Sequence, residues 1–351
     1  MFPTGKVGYA VGVRRLLPLL LLVPILAACG SAGASSSKTT PSSTTLNLVA
    51  YSTPQPVMEK LISQWKKTPA GSGVSFAQSY GSSGSQARAV VAGQACDIAF
   101  LSTGLDIDAI ASAGALPKNW TSQPSGGIVA DSVVAFAVRP GNPKNIHTWA
   151  DLVKPGVKVV TPDPFSSGSA KWNVLAAYGA QRKLGQSDAQ AQAYVQKLFG
   201  NVVQQDSSGS NAMSTFLSGK GDVLLTYESE AYNAIAAGSN LEVVIPPQTM
   251  LIELPMVATT GAPAAANAFI QYAHTAAAQT VFAENGYRPV VTSALKQPAL
   301  SEWSQRFSTT GETLFPISDP LFGGWEKANT TWFAANGRML AIEHAVGGPT
   351  S

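Results

Sequence analysis

Apolar residues recur along this chain with two alternating periods, and the alternation predicts an α/β protein. Residues 46–51 read as a strand, and Val57, Leu61 and Trp65 then share one helical face. Strands at 74–78 and 97–101 follow, with helices at 86–92 and 107–113. A β-branched strand at 132–138 runs into Arg139-Pro140-Gly141-Asn142-Pro143, a marked turn cluster. Beyond it a second series opens with a helix at 148–153 and a strand at 157–161. From Ala170 the pattern is helical, with Trp172, Leu175, Ala176 and Gly179 on one face. Helices at 189–199, 211–217 and 230–237 alternate with strands at 202–205 and 222–227. Apolar strands at 241–245 and 252–257 flank Pro246-Pro247, and helices at 264–274 and 275–284 follow. Strands joined by helices predict parallel sheets. Two such series, the first resumed late in the chain, predict one lobe inserted into another. The crossings fall near residues 132–140 and 246–256.

The N-terminus departs from this pattern. Arg14 and Arg15 precede an apolar run, residues 16–28, that is too short to span a bilayer as a mature helix. It ends Leu26-Ala27-Ala28-Cys29-Gly30, which resembles the lipobox of bacterial lipoproteins. That resemblance implies a signal peptide over residues 1–28 and a diacylated Cys29 as the first mature residue. An ordinary secretory signal or a retained anchor is the plainer alternative. Residues 30–45 carry no large apolar side chain and cannot offset their ordering entropy, so 29–45 is expected to be lipidated cysteine and tether. The body that remains is long enough for two cores.

Composition removes several classes of function. With Cys29 in the anchor, Cys96 has no partner for an intramolecular disulfide, and its strand-like surroundings make it a small core residue. Three histidines far apart and no cysteine pair give no metal spacing, and no cofactor is called for. The formal charge of +3 includes Lys6, Arg14 and Arg15 of the leader, so the mature chain is near neutral. No basic run interleaved with aromatics appears, which leaves nucleic-acid binding without support.

The chemistry lies in four loops, each following a strand and opening a helix. Thr161-Pro162-Asp163-Pro164-Phe165-Ser166-Ser167-Gly168-Ser169 leads into the helix that begins at Ala170. Ser79-Tyr80-Gly81-Ser82-Ser83-Gly84-Ser85, Asp206-Ser207-Ser208-Gly209-Ser210-Asn211 and Tyr51-Ser52-Thr53-Pro54 occupy matching positions. A helix start presents unpaired N–H donors at the positive end of a dipole, a ready anion site. In open α/β sheets ligands gather beyond the carboxyl ends of the strands, so two loops from each lobe can meet on one small anion. A single serine-glycine loop is more often only a cap and a turn. A serine hydrolase is a remote alternative: Gly81-x-Ser83-x-Ser85 lacks the second glycine of a nucleophile elbow, and no motif positions a His/Asp pair.

Longer stretches carry a family likeness. Asn142-Pro143-Lys144-Asn145-Ile146, the run from Trp149 to Val157 and Ser166-Ser167-Gly168-Ser169-Ala170-Lys171-Trp172-Asn173 resemble the signature of sulfate-binding proteins of ABC importers. So do Gly84-Ser85-Gln86-Ala87-Arg88-Ala89-Val90, Gly221-Asp222-Val223-Leu224, Glu228-Ser229-Glu230-Ala231, Gly286-Tyr287-Arg288-Pro289 and Phe322-Gly323-Gly324-Trp325. The likeness runs from about residue 46 to 326 in order.

The resemblance implies a two-lobed periplasmic-binding-protein-like fold of type II, each lobe a mixed, mostly parallel sheet flanked by helices, with a hinge and a ligand cleft. Lobe 1 is expected over 46–135 plus 251–351, with C-terminal helices that can pack on either lobe, and lobe 2 over 136–250. It further implies extracytoplasmic sulfate binding without a countercharge and delivery to permease subunits by a monomer, not an enzyme. The protein would sit on the outer face of the cytoplasmic membrane through the Cys29 lipid. Carried over by motif, Ser167 supplies a hydroxyl, and Gly168, Ser169, Ser83 and Gly209 supply backbone N–H groups. Ser52 matches an aspartate whose backbone N–H is used, with Thr53 the alternative donor. The loop around Gly209 departs from the pattern, with a one-residue shortening near Gly219. Tyr227 stands where the family commonly carries a tryptophan donor, and either donates through its phenol or only packs. Asp163 and Asp206 beside the loops are expected to cap backbone, since an acid inside the pocket would suit phosphate. Thiosulfate, molybdate, tungstate and phosphate remain alternative ligands, and a surface lipoprotein that contacts other proteins is a further class.

Overall fold

The computed structural model describes residues 44–291, 293, 307 and 311–348. The expected signal peptide, Cys29 and the tether up to residue 43 lie outside the described residues. The first series runs β1 (Thr44–Tyr51), α1 (Gln55–Trp65), β2 (Val74–Gly81), α2 (Ser83–Val91), β3 (Ile98–Phe100), α3 (Gly104–Ser112) and the long β4 (Ile128–Val138). The second holds β5 (Val159–Pro162), α4 (Gly168–Lys183), α5 (Asp188–Gly200), β6 (Val202–Asp206), α6 (Gly209–Leu217), β7 (Val223–Tyr227), α7 (Glu228–Ala236) and β8 (Glu242–Val244). The chain returns through β9 (Gln248–Ala258), α8 (Ala264–Ala273), α9 (Ala276–Glu284), β10 (Arg288–Pro289), β11 (Thr313–Phe315), α10 (Trp325–Trp332) and α11 (Arg338–Val346). Among the described residues no helix is long and apolar enough to cross a membrane.

The strands lie in the order β2-β1-β3-β9-β4-β7-β5-β6, two parallel groups joined by an antiparallel pair. β1 runs parallel to β2 and β3, and β5 runs parallel to β6 and β7. Between them stand β4 and β9, both 11 residues long. β4 changes partner along its length: Ile128 to Val133 pairs with β9, and Val134 to Val138 pairs with β7. β9 continues to β3 through Met256, Val257 and Ala258. This two-lobed α/β arrangement is the one predicted from the alternating periods.

Several boundaries differ from the pattern, each for a local reason. β4 starts four residues before the expected strand, because Val129 and Ala130 are also buried in the core and Ala130 and Asp131 pair with both β10 and β9. β1 starts at Thr44, so the last two residues of the expected tether are strand. The expected helix at 148–153 is a 3-10 turn, Trp149–Val153, closed by a reciprocal cap between Thr148 and Asp151. Pro155 follows at once and prevents a longer helix.

Packing fixes the helix starts against the sheet. Val133 to Val138 are buried on both faces, which is why this strand reads as an unbroken apolar run. Trp65 closes α1 onto the sheet edge-on against Phe76 and Phe269, with ring centroids 5.8 and 5.2 Å away. Truncating it to alanine would cost about 3–5 kcal/mol. α8 packs on β9 and β1, and α9 on α1, while α10 lies on α3 and α11 on α5. The last two helices therefore reach one parallel group each.

Candidate functional site

Six strand ends deliver six helix starts to one region. Ser167 caps α4 in extended conformation, and its hydroxyl accepts nothing from its own helix. Gly168 and Ser169 are the first two helical residues, so their N–H groups have no intrahelical acceptor. Ser83 holds the same position in α2 after the extended Ser82, and Gly209 in α6 after Ser208, whose hydroxyl accepts from Asn211 N–H at 3.2 Å. Thr53 precedes the Pro54 cap of α1, Thr103 caps α3, and Tyr227 caps α7.

The glycines show how closely these starts approach one another. A Cβ added at Gly168 would collide with Ser102 Oγ and lie 3.2 Å from Ser83 Cβ. At Gly209 it would sit 3.0 Å from Thr53 Cγ2, 3.2 Å from Glu230 Oε2 and 3.5 Å from Ser169 Oγ. The starts of α2, α3 and α4 thus meet on one side, and those of α1, α4, α6 and α7 on the other. Tyr227 is fully buried beside Ser102 and Ser169, and its ring centroid is 6.4 Å from that of Tyr51. Thr53, Ser83, Ser167, Gly168, Ser169, Gly209 and Tyr227 all lie at these helix starts. Ser52 is half-buried, one position before the buried Thr53.

Six hydroxyls in this cluster are buried without a hydrogen-bond partner: those of Tyr51, Thr53, Ser102, Ser169, Tyr227 and Tyr287. Leaving a buried polar group unmatched costs about 1–3 kcal/mol, so six at one place are not explained by folding alone. Burial raises the phenol pKa of Tyr51, Tyr227 and Tyr287 above the usual range, which keeps all three as O–H donors. The residues that supply these hydroxyls and helix starts include no lysine or arginine.

The nearby acids are engaged elsewhere. Asp106 accepts from Ser83 Oγ at 2.5 Å and Thr103 Oγ1 at 2.8 Å, so what Ser83 offers the cluster is its N–H. Glu230 accepts from Thr226 Oγ1 at 2.6 Å, and burial pushes its carboxyl up to about 7. Asp163 takes Phe165 N–H at 2.8 Å on its side chain and Ser167 N–H at 2.9 Å on its carbonyl, a capping role. Asp206 accepts from Gln204 and Thr215 through Oδ1 and keeps Oδ2 buried without a partner. Cys96 is half-buried against the α2–α3 core, its thiol pushed up to about 12 by burial.

Tyr51, Ser102, Thr103, Tyr287 and Glu230 were not among the predicted site residues. Ser102-Thr103-Gly104 follows β3 as the other loops follow their strands, so the same rule applied once more finds it. Tyr51 lies in the first loop and Tyr287 in the Gly286-Tyr287-Arg288-Pro289 motif, where each reads equally well as core.

The family of bacterial extracellular solute-binding proteins matches residues 46–288. The chain is a bacterial extracellular solute-binding protein. The sulfate-binding protein of Synechococcus elongatus is 34% identical over 334 residues, 92% of this chain and 93% of that one. The thiosulfate-binding protein of Escherichia coli is 33% identical over 291 residues, 79% and 83% of the two chains. Among solved structures, the sulfate-binding protein SubI from Mycobacterium tuberculosis superposes with a TM-score of 0.77 at 37% identity, covering 83% of this chain and 99% of its own. The solute-binding protein therefore has the two-lobed type II fold expected of it.

Proposed function

We propose that this solute-binding protein holds sulfate in the cleft between its lobes and delivers it to an ABC permease for import. The observation that carries this is the group of six buried, unpartnered hydroxyls ringed by helix starts, with no cation among them. Sulfate is fully ionised at neutral pH, so its oxygens only accept hydrogen bonds, and a pocket of donors suits it. Each helix start carries roughly half a positive charge, so those of α1, α2, α4 and α6 together are on the order of the two charges of sulfate. Spreading the charge in this way avoids a tight ion pair that would slow release.

The donors are the Ser167 hydroxyl, the N–H groups of Gly168, Ser169, Ser83 and Gly209, and the hydroxyls of Thr53 and Tyr227. Thr53 is preferred to Ser52 because its hydroxyl is buried and unpartnered. The lobes comprise 46–135 plus 251–351 and 136–250, and they close about β4 and β9, the strands that change partner between them. A lipid on Cys29 keeps this monomer beside the permease and raises its local concentration. Calorimetric titration of the full chain tests the ligand. Sulfate should bind one per chain at micromolar concentration or tighter, ahead of thiosulfate, molybdate and phosphate. Absence of sulfate binding, or preference for another of these anions, would refute it.

A further inference from the structure

A second cavity lies behind the α2 and α4 starts, bounded by α2, α3, α10 and the turn that precedes α4. Its volume is about 510 Å³, within the range of small-molecule sites. Two cations line it together with Asp106, and neither cation forms an ion pair among the described residues. Lys171 is only 6% exposed and makes neither an ion pair nor a hydrogen bond, while its Nζ stands 5.6 Å from the centre of the Phe333 ring. Arg88 donates from Nη2 to Ser85 Oγ at 2.9 Å and has no carboxylate partner. Asp106 and Asp163 act on Lys171 through space without forming an ion pair; Asp106 takes Ser83 and Thr103 on Oδ2, and Asp163 takes Phe165 N–H on Oδ1. Burial lowers the pKa of Lys171, and the charges of Asp106 and Asp163 offset this only in part. Val91, Leu105, Phe165 and Phe333 form an apolar side of the same space, and Asp106 and Asn329 complete its polar wall.

A buried cation without a partner is costly, and an anion that enters the cavity would relieve that cost. We infer that this cavity binds an organic anion, its sulfonate, sulfate-ester or carboxylate group on Lys171 and Arg88 and its apolar body between Phe165 and Phe333. Such a ligand touches α2 and α3 on one side and the α4 approach on the other. It would therefore hold the two series of elements together while the hydroxyl cluster is filled.

Benzenesulfonate titrated into the full chain at saturating sulfate tests this site separately from the sulfate assignment. It should bind once per chain without displacing sulfate, whereas methanesulfonate, which lacks the apolar body, binds at least tenfold more weakly. Lys171→Met should weaken benzenesulfonate about tenfold or more, the scale of one lost charge-assisted contact. Val91→Asp, at a half-exposed position that does not threaten the fold, should weaken it similarly while leaving sulfate affinity unchanged. The inference is overturned if benzenesulfonate does not bind the sulfate-loaded chain, if it exchanges one-for-one with sulfate, or if both variants bind it normally. Should the chain bind no sulfate at all, the same titration without sulfate still reports on this cavity.

Discussion

Two buried polar clusters adjoin in this fold, and they carry opposite imbalances. Tyr227 and Tyr287 belong to the hydroxyl cluster, and the next residues, Glu228 and Arg288, belong to the other. The first has donors to spare: six buried hydroxyls and several helix starts with nothing to donate to. The second has acceptors to spare. Arg288 grips Glu228 through Nε at 2.7 Å and Nη2 at 3.1 Å, while Asp131 lies opposite both Arg288 and Glu253 in the ladder. Burial, and then Glu253, push the Asp131 carboxyl up to about 7, and burial also raises Glu253 and Glu312. A surplus of donors is relieved by an anion and a surplus of carboxyls by protons. The first cluster should therefore respond to ligand and the second to pH.

The largest effect should come from removing a backbone donor. Ser83→Pro is sterically acceptable at the first helical position after the extended Ser82, yet it deletes the N–H aimed at the ligand. We expect sulfate affinity to fall about a hundredfold, the upper range for a hydrogen bond to a charged group. Ser83→Ala keeps the N–H and separates this loss from that of the hydroxyl on Asp106; equal losses in the two variants would remove Ser83 N–H from the site. Tyr227→Phe deletes one phenolic donor and should cost about tenfold in affinity with little change in melting temperature. If Tyr227 only packs, calorimetry will find the affinity unmoved. Thr53→Val should weaken binding by several-fold and Ser52→Ala should not, and the reverse ranking would exchange their roles.

The second cluster supplies a smaller effect with a defined sign. A carboxyl whose pKa is higher in the folded than in the unfolded chain adds stability below the unfolded value, near 4. That stability is lost as pH rises through the folded value. For Asp131 the window runs from about 4 to about 7. Asp131→Asn should melt within a degree or so of the parent near pH 4 and a few degrees above it at pH 8. A gap that is constant with pH would mean that Asp131 does not titrate in this window.

The same contrast governs what was legible in the sequence. The alternation of periods was enough for the element order, because strands such as Val223–Tyr227 are buried on both faces and read as apolar runs. Strand-end loops at Ser83, Gly168 and Gly209 were legible because the same small-residue and hydroxyl pattern recurs at matching strand ends, where a single such loop would read only as a cap. Tyr51 and Tyr287 were not, since a buried tyrosine in a strand or turn carries the same local pattern whether its hydroxyl meets a ligand or a neighbour. The carboxyl cluster escaped for a different reason. Asp131, Glu253 and Arg288 are far apart in the chain and become neighbours only through the β10–β4–β9 register. Asp131 interrupts the apolar run and separates Ile128, Val129 and Ala130 from the strand pattern that follows.

A crystal structure of the chain grown with sulfate would show whether a dianion is held by donors without a countercharge. One sulfate should lie among the N–H groups of Ser83, Gly168, Ser169 and Gly209 and the hydroxyls of Ser167, Thr53 and Tyr227, with no lysine or arginine in contact. A sulfate seated instead on Lys171 and Arg88, with the hydroxyl cluster left empty, would contradict it.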